Sequence, residues 1–227
     1  MGKVITAIEP QKKDRKRVSI YLDGEFSFGL SGILAACLKI GQELSNEKIG
    51  QLLHEDQFEK ATQKALHFIS YRPRSILEVR KNLITKEIPS TVIENVIERL
   101  ENNYLLNDEV FAKEWINDRN DFHPRSRLAL RMELKEKGIP EEIIESALEN
   151  LDEDGLAYKA AKKYSNRLKK LELQLFRKKL SSFLARKGFA YSIIYPVVDK
   201  IWNEIQDESN QGELNFNKDN SWTQQHT

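Results

Sequence analysis

The chain of 227 residues has a single cysteine and no apolar run that approaches the roughly 20 residues needed to span a bilayer. Cys37 has no second cysteine with which to form an intrachain disulfide, and its place in the apolar run of residues 33–38 predicts a small, buried core residue. Residues 1–6 lack the basic region and long apolar stretch of a secretory signal. These absences predict a soluble, cytoplasmic protein without a membrane partner.

The usual signatures of catalysis and metal binding are also missing. The ten glycines are scattered rather than grouped in a phosphate-binding loop, and the G-x-S-x-G pattern of serine hydrolases is absent. The four histidines show no ligand spacing with one another or with the cysteine: His54, His67, His123 and His226. The sequence therefore predicts a protein that is not an enzyme and holds no metal or cofactor.

Positive and negative charges nearly balance, with a net charge of +1, but they are distributed unevenly. Between Lys159 and Lys187 there are eleven basic residues and one acid, whereas the segment around residues 108–121 is rich in acids. The basic stretch is either a solvated helix face or a contact for phosphates or an acidic protein surface, and the same two interpretations apply to residues 12–17, with five bases and one acid. The candidate contacts in the long stretch are Lys162, Lys163, Arg167, Lys169, Lys170, Arg177, Lys178 and Lys179.

Residues 18–30 predict a β-hairpin. Apolar and polar residues alternate from Val18 to Leu22 and again from Phe26 to Leu30, on either side of the pair Asp23-Gly24. An Asp-Gly pair suits a two-residue turn, because both central positions of that turn need positive φ. A lone hairpin is marginally stable in water, so we expect this one to pack its apolar face against a helix at residues 33–39.

An internal repeat dominates the rest of the chain. The block Arg72-Pro73-Arg74-Ser75 recurs as His123-Pro124-Arg125-Ser126, at a spacing of 51 residues that holds without a gap as far as Leu100 and Leu151. A fainter third copy follows at a spacing of 50, with Lys187-Gly188-Phe189 in the place of Lys137-Gly138-Ile139. A unit of about 50 residues buries little apolar surface alone, so three copies predict stacked modules.

Each copy predicts three helices. In the first copy, Ser75-Ile76-Leu77-Glu78 fits a capping box. Gly138 ends a helix of the second copy through a positive-φ residue. Glu87 stands at that position in the first copy, where we expect a non-glycine turn with either some strain or a different cap. The residues of the second copy expected to face its core are Leu105, Leu106, Val110, Phe111, Trp115, Ile116, Leu128, Leu130 and Leu134.

The predicted fold is mainly α, an elongated array of three tandem three-helix repeats with a small N-terminal β-hairpin and helix extension. The predicted parts are the extension at 1–56, repeats at 57–106, 107–152 and 153–205, and a disordered, Asn/Gln-rich tail at 206–227. Arginines near the repeated helix openings form a second row that is either solvated or in contact with a partner: Arg72, Arg74, Arg80, Arg125, Arg127 and Arg131.

Three blocks resemble the signature blocks of the RecX regulatory family: Arg72-Pro73-Arg74-Ser75, Leu105-Leu106-Asn107-Asp108-Glu109-Val110-Phe111-Ala112 and Glu133-Leu134-Lys135-Glu136-Lys137-Gly138-Ile139. The hairpin resembles the N-terminal extension of the longer members, so the similarity covers residues 1–205. The resemblance implies a monomeric, non-enzymatic regulator of the recombinase RecA that acts in DNA repair, recombination and the SOS response. Its implied partners are RecA, as monomer or filament, and single-stranded DNA, with double-stranded DNA as a further candidate. It also implies that the protein restrains the ATPase and strand exchange of RecA, and that no catalytic residues are carried over.

Two other functions fit the same residues. A stand-alone DNA-binding protein would place one helix of each unit in a groove in helix-turn-helix fashion and bind duplex DNA without RecA. A pure scaffold would bind neither DNA nor the filament.

Overall fold

The computed structural model describes the backbone of residues 2–223 and the side chains of residues 2–208. The chain forms two compact units, Met1–Asn107 and Asp108–Thr227. The first contains a β-sheet and one three-helix repeat, and the second contains two three-helix repeats, so the predicted mainly α fold with tandem repeats is confirmed. Among the helices described, none is both long and apolar enough to cross a membrane.

The N-terminal sheet has four antiparallel strands in the order β3-β2-β1-β4: β1 Lys3–Pro10, β2 Arg17–Leu22, β3 Glu25–Ser31 and β4 Glu43–Leu44. β2 and β3 form the predicted hairpin, and Asp23 (φ 52°) and Gly24 (φ 91°) occupy its turn. The sequence predicted only this hairpin, whereas the sheet also contains β1 and β4. β1 was missed because apolar residues fall on both of its faces, so its sequence shows no clean alternation. In the structure its register with β2 shifts between Ile5 and Ala7.

The apolar face of the sheet packs on α1 (Gly32–Ala35) and on the start of α2 (Asn46–Ile69). Cys37, which was predicted to be buried here, is exposed. The helix predicted at residues 33–39 is short and ends at Ala35. The chain then turns, and Leu38 enters the core instead of Cys37.

The first repeat consists of the C-terminal part of α2 together with α3 (Ile76–Ile84) and α4 (Ser90–Asn102). α2 is continuous across the boundary expected between residues 56 and 57. It serves both parts, since Leu52 packs under the sheet whereas Ala61 and Ala65 are buried in the core of the repeat. The segment from Gln51 to Ile69 contains no glycine or proline that would interrupt the helix.

The second repeat consists of α5 (Asp108–Phe122), α6 (Arg127–Glu136) and α7 (Glu141–Leu148). Most of the predicted core is confirmed, because Phe111, Ile116, Leu130 and Leu134 are buried and Trp115 packs against them. Leu106 is also buried, but in the core of the first repeat. Three expected core residues are instead exposed: Leu105, Val110 and Leu128. α6 buries the face that contains Leu130 and Leu134. At roughly 100° per residue, Leu128 lies about 200° around the helix from Leu130 and therefore on the opposite, exposed face.

The third repeat consists of α8 (Glu153–Ser165), α9 (Leu173–Arg186) and α10 (Tyr191–Thr223). Phe176, Leu180 and Leu184 of α9 are fully buried in its core. In the repeat alignment α9 begins one turn earlier than α6, so Phe176 stands where the second repeat has Ser126. An aromatic core residue therefore replaces a capping residue.

Caps and turns follow the repeat closely. The predicted capping box is confirmed, because Ser75 Oγ accepts from the backbone N–H of Glu78 and the Glu78 carboxylate accepts from the backbone N–H of Ser75. Equivalent turns between the second and third helices contain Glu87 (φ 58°), Gly138 (φ 78°) and Gly188 (φ 92°). The expected non-glycine turn at Glu87 is thus confirmed, and its positive φ corresponds to the strained alternative.

The segment from residue 206 differs from its prediction. Disorder was expected, but α10 continues to Thr223. Ile205 is anchored in the core of the third repeat, and a helix that is already nucleated by packing extends at little cost. Gln206 and Glu208 also have good helix propensity. The predicted tail at residues 224–227 lies outside the described residues.

Candidate nucleic-acid and partner interface

Three of the arginines singled out from the sequence form ion pairs within their own repeat. Each pair joins the second helix of a repeat to the third: Arg80–Glu94 at 2.7 Å, Arg131–Glu145 at 2.9 Å and Arg177–Asp199 at 3.0 Å. The first two pairs are related by the spacing of 51 residues at both ends. These guanidinium groups have structural partners that a ligand would need to displace.

In the first unit, two further candidates lie at the opening of α3. Arg72 forms an ion pair with Glu78 at 2.9 Å. The guanidinium carbon of Arg74 lies 4.0 Å from the centroid of the Phe68 ring, a cation–π contact. Burial, followed by the positive charge of Arg72, lowers the pKa of Arg74. Both side chains are therefore engaged by neighbours in the same repeat.

In the second unit, the two candidate arginines at the opening of α6 differ from each other. Arg127 Nη2 donates to the carbonyl oxygens of Leu148 and Glu149, at 2.6 and 3.2 Å, and so caps the end of α7. Arg125 Nε is 3.6 Å from a carboxylate oxygen of Glu133 and has no hydrogen-bond partner among the described residues. Among the described residues, Arg125 Nε is therefore a buried donor without a hydrogen-bond acceptor, and the guanidinium stays beside the Glu133 carboxylate.

The basic residues of the third repeat separate into paired and unpaired groups. Lys162 and Lys169 pair with Glu204 and Glu208, at 2.7 and 3.0 Å. The hydrogen bond with Glu204, and then the one with Tyr158, raises the pKa of Lys162 to about 12. Within the described chain, five candidates form no ion pair: Lys163, Arg167, Lys170, Lys178 and Lys179.

Two of the unpaired cations line a cleft of about 230 Å³ between the second and third repeats of the second unit. The end of α5 and the following loop form one wall, α8 forms another and α9 the third. We call it the basic cleft, and it is lined by Phe122, His123, Pro124, Ala160, Lys163, Tyr164, Arg167, Phe183 and Lys187. No carboxylate is among these lining residues.

Contacts around Lys187 hold the two repeats together at this cleft. Lys187 Nζ donates to the carbonyl oxygen of Pro124 at 3.1 Å, and the Lys187 carbonyl accepts from the Ser126 N–H at 3.2 Å. Gly188 is needed beside them, because a Cβ at this position would lie 2.5 Å from Ser126 Oγ and its φ is 92°. The walls of the cleft are thus set by tertiary contacts.

The electrostatics and the rings of the basic cleft suit an anion next to an aromatic surface. Burial, followed by the positive charges of Arg125 and Lys163, lowers the pKa of Lys187. A bound phosphate would reduce the repulsion between these cations, because no carboxylate lines the cleft to neutralise them. The rings of Tyr164 and Phe183 stack in the wall with centroids 4.0 Å apart, and Phe122 at the rim is 65% exposed. Exposed rings beside cations are the usual elements of single-strand binding.

Three contact candidates were not predicted from the sequence: Phe122, Tyr191 and Tyr195. Lys187 ends the basic stretch noted in the sequence, but its place in the basic cleft was not predicted. The two tyrosines stack on α10 with centroids 5.5 Å apart, and both are exposed. At the spacing of 50 they stand where the second repeat has Glu141 and Glu145. The repeat alignment therefore shows two tyrosines in place of two glutamates. This replacement was the feature of the sequence that indicated an exposed aromatic pair on α10.

Metal ligands are not grouped in the part of the chain that the structure describes. Within it, no cluster of three or more His, Cys, Asp or Glu side chains is arranged to hold a metal ion.

Sequence models of one family match four consecutive parts of the chain. They are described as the regulatory protein RecX N-terminal domain (residues 3–45) and the first, second and third three-helix domains of RecX (61–100, 107–148 and 152–198). The three repeats and the N-terminal sheet therefore each have a counterpart in the family.

Relatives and solved structures agree with these matches. Regulatory protein RecX of Bacillus subtilis is 31% identical over 223 residues, which cover 96% of this chain and 84% of the relative. Regulatory protein RecX of Clostridioides difficile is 32% identical over 206 residues, or 88% and 96% of the two chains. A crystal structure of regulatory protein RecX superposes with a TM-score of 0.68 at 27% identity and covers 87% of this chain and 99% of its own. RecX from Lactobacillus salivarius superposes with a TM-score of 0.57 at 26% identity, over 65% and 97%. The chain belongs to the RecX family of regulatory proteins.

Proposed function

We propose that this protein is a non-enzymatic regulator that binds RecA and its single-stranded DNA filament and mostly inhibits the recombinase and its ATPase. Its place is the cytoplasm, in DNA repair, recombination and the SOS response. Membership of a family of regulatory proteins supports this role. The observation that carries it is the basic cleft, where Lys163, Arg167 and Lys187 meet without a carboxylate in the lining.

In this proposal the basic cleft receives a backbone phosphate of the filament's DNA. Lys163 and Arg167 supply the charge, and Phe122 offers a ring to the adjoining base or sugar. Further repeats add weak contacts to the same filament, and contacts that are linked in one chain reinforce one another through effective concentration. The protein then restrains RecA by holding strands that the recombinase needs to exchange.

The structure supports fewer contact residues than the set inferred from the sequence. An unpaired cation binds phosphate at a lower cost in free energy than a cation that must first break an ion pair with a carboxylate of its own chain. The contacts proposed for the third repeat are therefore Lys163, Arg167, Lys170, Lys178 and Lys179. The ion-paired Arg80, Arg131 and Arg177 hold their repeats together.

Salt dependence of binding tests the proposal. Fluorescence anisotropy with labelled single-stranded DNA and co-sedimentation with RecA filaments are measured over a range of salt for the wild type and for Lys163→Glu combined with Arg167→Glu. If each cation neutralises one phosphate of single-stranded DNA, the slope of log affinity against log salt falls by about 1.4, at roughly 0.7 per phosphate. Lys81→Glu with Lys86→Glu is the matched control, because both lysines are exposed and lie outside the basic cleft.

The outcomes separate the three candidate functions. An unchanged slope and affinity in the cleft variant would remove the basic cleft from the mechanism. Sequence-dependent binding to duplex DNA without RecA would favour the stand-alone DNA-binding protein. Binding to neither DNA nor filament by the wild type would favour a scaffold.

A further inference from the structure

A second cavity lies in the first unit, between the loop that joins β1 to β2 and the exposed side of α2. Its volume is about 740 Å³, within the range of roughly 300–1,000 Å³ that is typical of ligand pockets. Residues 14–16 of the loop and Arg17 at the start of β2 form one wall. Asp56, Lys60 and Lys64 of α2 form the other wall, and Ile33 of α1 lies at the edge. We call this cavity the loop groove.

The floor of the loop groove is preformed by one buried carboxylate. Asp56, whose side chain is 3% exposed, accepts hydrogen bonds from Arg17 Nη1 and Nη2 at 3.0 and 2.9 Å and from the Ser31 N–H at 2.8 Å. Lys60 Nζ lies 2.7 Å from the same carboxylate. These contacts tie the loop, the edge strand β3 and α2 together, so the groove exists before any ligand binds.

The remaining charges of the loop groove leave an excess of cations. Of the other two acids, Glu59 pairs with Arg99 at 3.3 Å, and Asp14 accepts from the backbone N–H of Lys16 at 2.9 Å. Among the described residues, three lining cations form no ion pair: Arg15, Lys16 and Lys64. They stand on both walls, so an occupant with carboxylates would be held from two sides.

The apolar part of the loop groove distinguishes among possible occupants. Ile33 is 81% exposed and places one large aliphatic side chain at the edge of the cavity. None of the lining residues is aromatic, so the groove offers no ring on which a nucleobase would stack. A segment that combines carboxylates with an apolar side chain fits both features, and a nucleic acid strand fits only the charge.

We propose that the loop groove docks an acidic peptide segment of a partner protein, with its carboxylates on Arg15, Lys16 and Lys64 and an apolar side chain against Ile33. This surface is separate from the basic cleft and does not depend on the function proposed for that cleft. The sequence offered two interpretations of the basic residues at positions 12–17, a solvated loop or a contact surface, and in this proposal each interpretation applies to some of them. Arg15 and Lys16 line the groove, whereas Lys12 and Lys13 lie outside it.

Peptide probes and the full-length protein test this site. The probe is a short fluorescein-labelled peptide of alternating glutamate and leucine, followed by anisotropy at low and moderate salt. Arg15→Glu with Lys64→Glu is expected to weaken binding at least about tenfold, because the introduced carboxylates then repel the carboxylates of the peptide. Arg15→Gln with Lys64→Gln gives an intermediate loss. The neutral change Ile33→Ser weakens the glutamate–leucine peptide but not a glutamate–serine peptide.

Matched controls make the result decisive. Lys12→Glu with Lys13→Glu carries the same charge change on the same loop outside the groove and leaves the affinity within about twofold. All substituted side chains are exposed, and equal thermal unfolding by circular dichroism verifies the fold. Peptide affinity that is the same in the wild type and the Arg15/Lys64 variants overturns the proposal. So does a short oligothymidylate that binds the wild type, loses affinity in those variants and outcompetes the peptide, since the groove is then a nucleic-acid contact.

Discussion

Removal of the Asp56 carboxylate is expected to destabilise the first unit strongly. In Asp56→Ala, the Ser31 N–H loses its acceptor in a part-buried position, which costs roughly 1–3 kcal/mol. The bidentate bond from Arg17 is also lost, and a hydrogen bond to a charged group contributes roughly 1.5–3 kcal/mol. Arg17 retains the Gly29 carbonyl at 2.9 Å and the half-exposed Lys60 returns to water, so these two cations add little.

The expected loss is therefore about 2.5–6 kcal/mol, which includes the range of roughly 3–5 kcal/mol for breaking a buried ion pair. Hydrogen exchange followed by mass spectrometry measures it on peptides from residues 2–107. Tryptophan fluorescence would not serve, because Trp115, Trp202 and Trp222 all lie beyond this unit. Glu55→Ala, an exposed acid next to Asp56 in the chain, is the control and should change stability by less than about 0.5 kcal/mol. A loss of less than about 1 kcal/mol in Asp56→Ala would refute this account of the groove floor.

The same carboxylate predicts a dependence on pH. Burial alone raises the pKa of Asp56, but the hydrogen bonds from Arg17, Lys60 and the Ser31 N–H outweigh it, and the pKa lies below the usual 3.8. The pKa is thus lower in the folded than in the unfolded state. The stabilisation is fully present above the unfolded pKa and is lost as the pH falls through the folded pKa. Asp56→Asn should flatten the fall in stability of the first unit below about pH 4 relative to wild type, and parallel curves for the two proteins would contradict the assignment.

Two further predictions concern the turns and caps of the repeats. Glu87→Gly should stabilise the first repeat by about 1 kcal/mol, because glycine relieves the cost of positive φ, as measured by hydrogen exchange; a loss of stability would mean that the Glu87 side chain supports the turn. Ser126→Ala should cost the second unit about 1 kcal/mol in urea unfolding followed by tryptophan fluorescence, because the α6 N-cap bond to the Ala129 N–H is lost. Equal midpoints for Ser126→Ala and wild type would show that water replaces the cap.

Most of the local structure was predictable from the repeat. The spacing of Ser75 and Glu78 predicted the capping box, and the alignment with Gly138 predicted a non-glycine turn at Glu87, because caps and turns depend on a few adjacent residues. Two kinds of position were predicted wrongly. The strand β1 was missed because it lacks a clean alternation and is held by pairing with β2 and β4. Cys37 and Leu128 were expected to be buried, but the orientation of Cys37 depends on where α1 ends and that of Leu128 on which face α6 buries.

The candidate site divides in the same way. The concentration of lysine and arginine between residues 159 and 187 was visible in the sequence. Which of these cations are free was not, because their partners are distant in the chain. Lys162 pairs with Glu204, 42 residues away, and Lys169 with Glu208, 39 residues away, whereas Lys163 forms no ion pair within the described chain.

By itself, the sequence of this protein determined three helical repeats, a hairpin and the sign of each charged zone, since periodicity, turn residues and charge are properties of short segments. The tertiary structure decided which cations are neutralised and where cavities form. Lys187 reaches the Pro124 carbonyl 63 residues earlier to form the basic cleft, and Arg17 reaches Asp56 across 39 residues to form the loop groove. Such contacts depend on how helices and strands pack against one another, and no local pattern of residues encodes that packing.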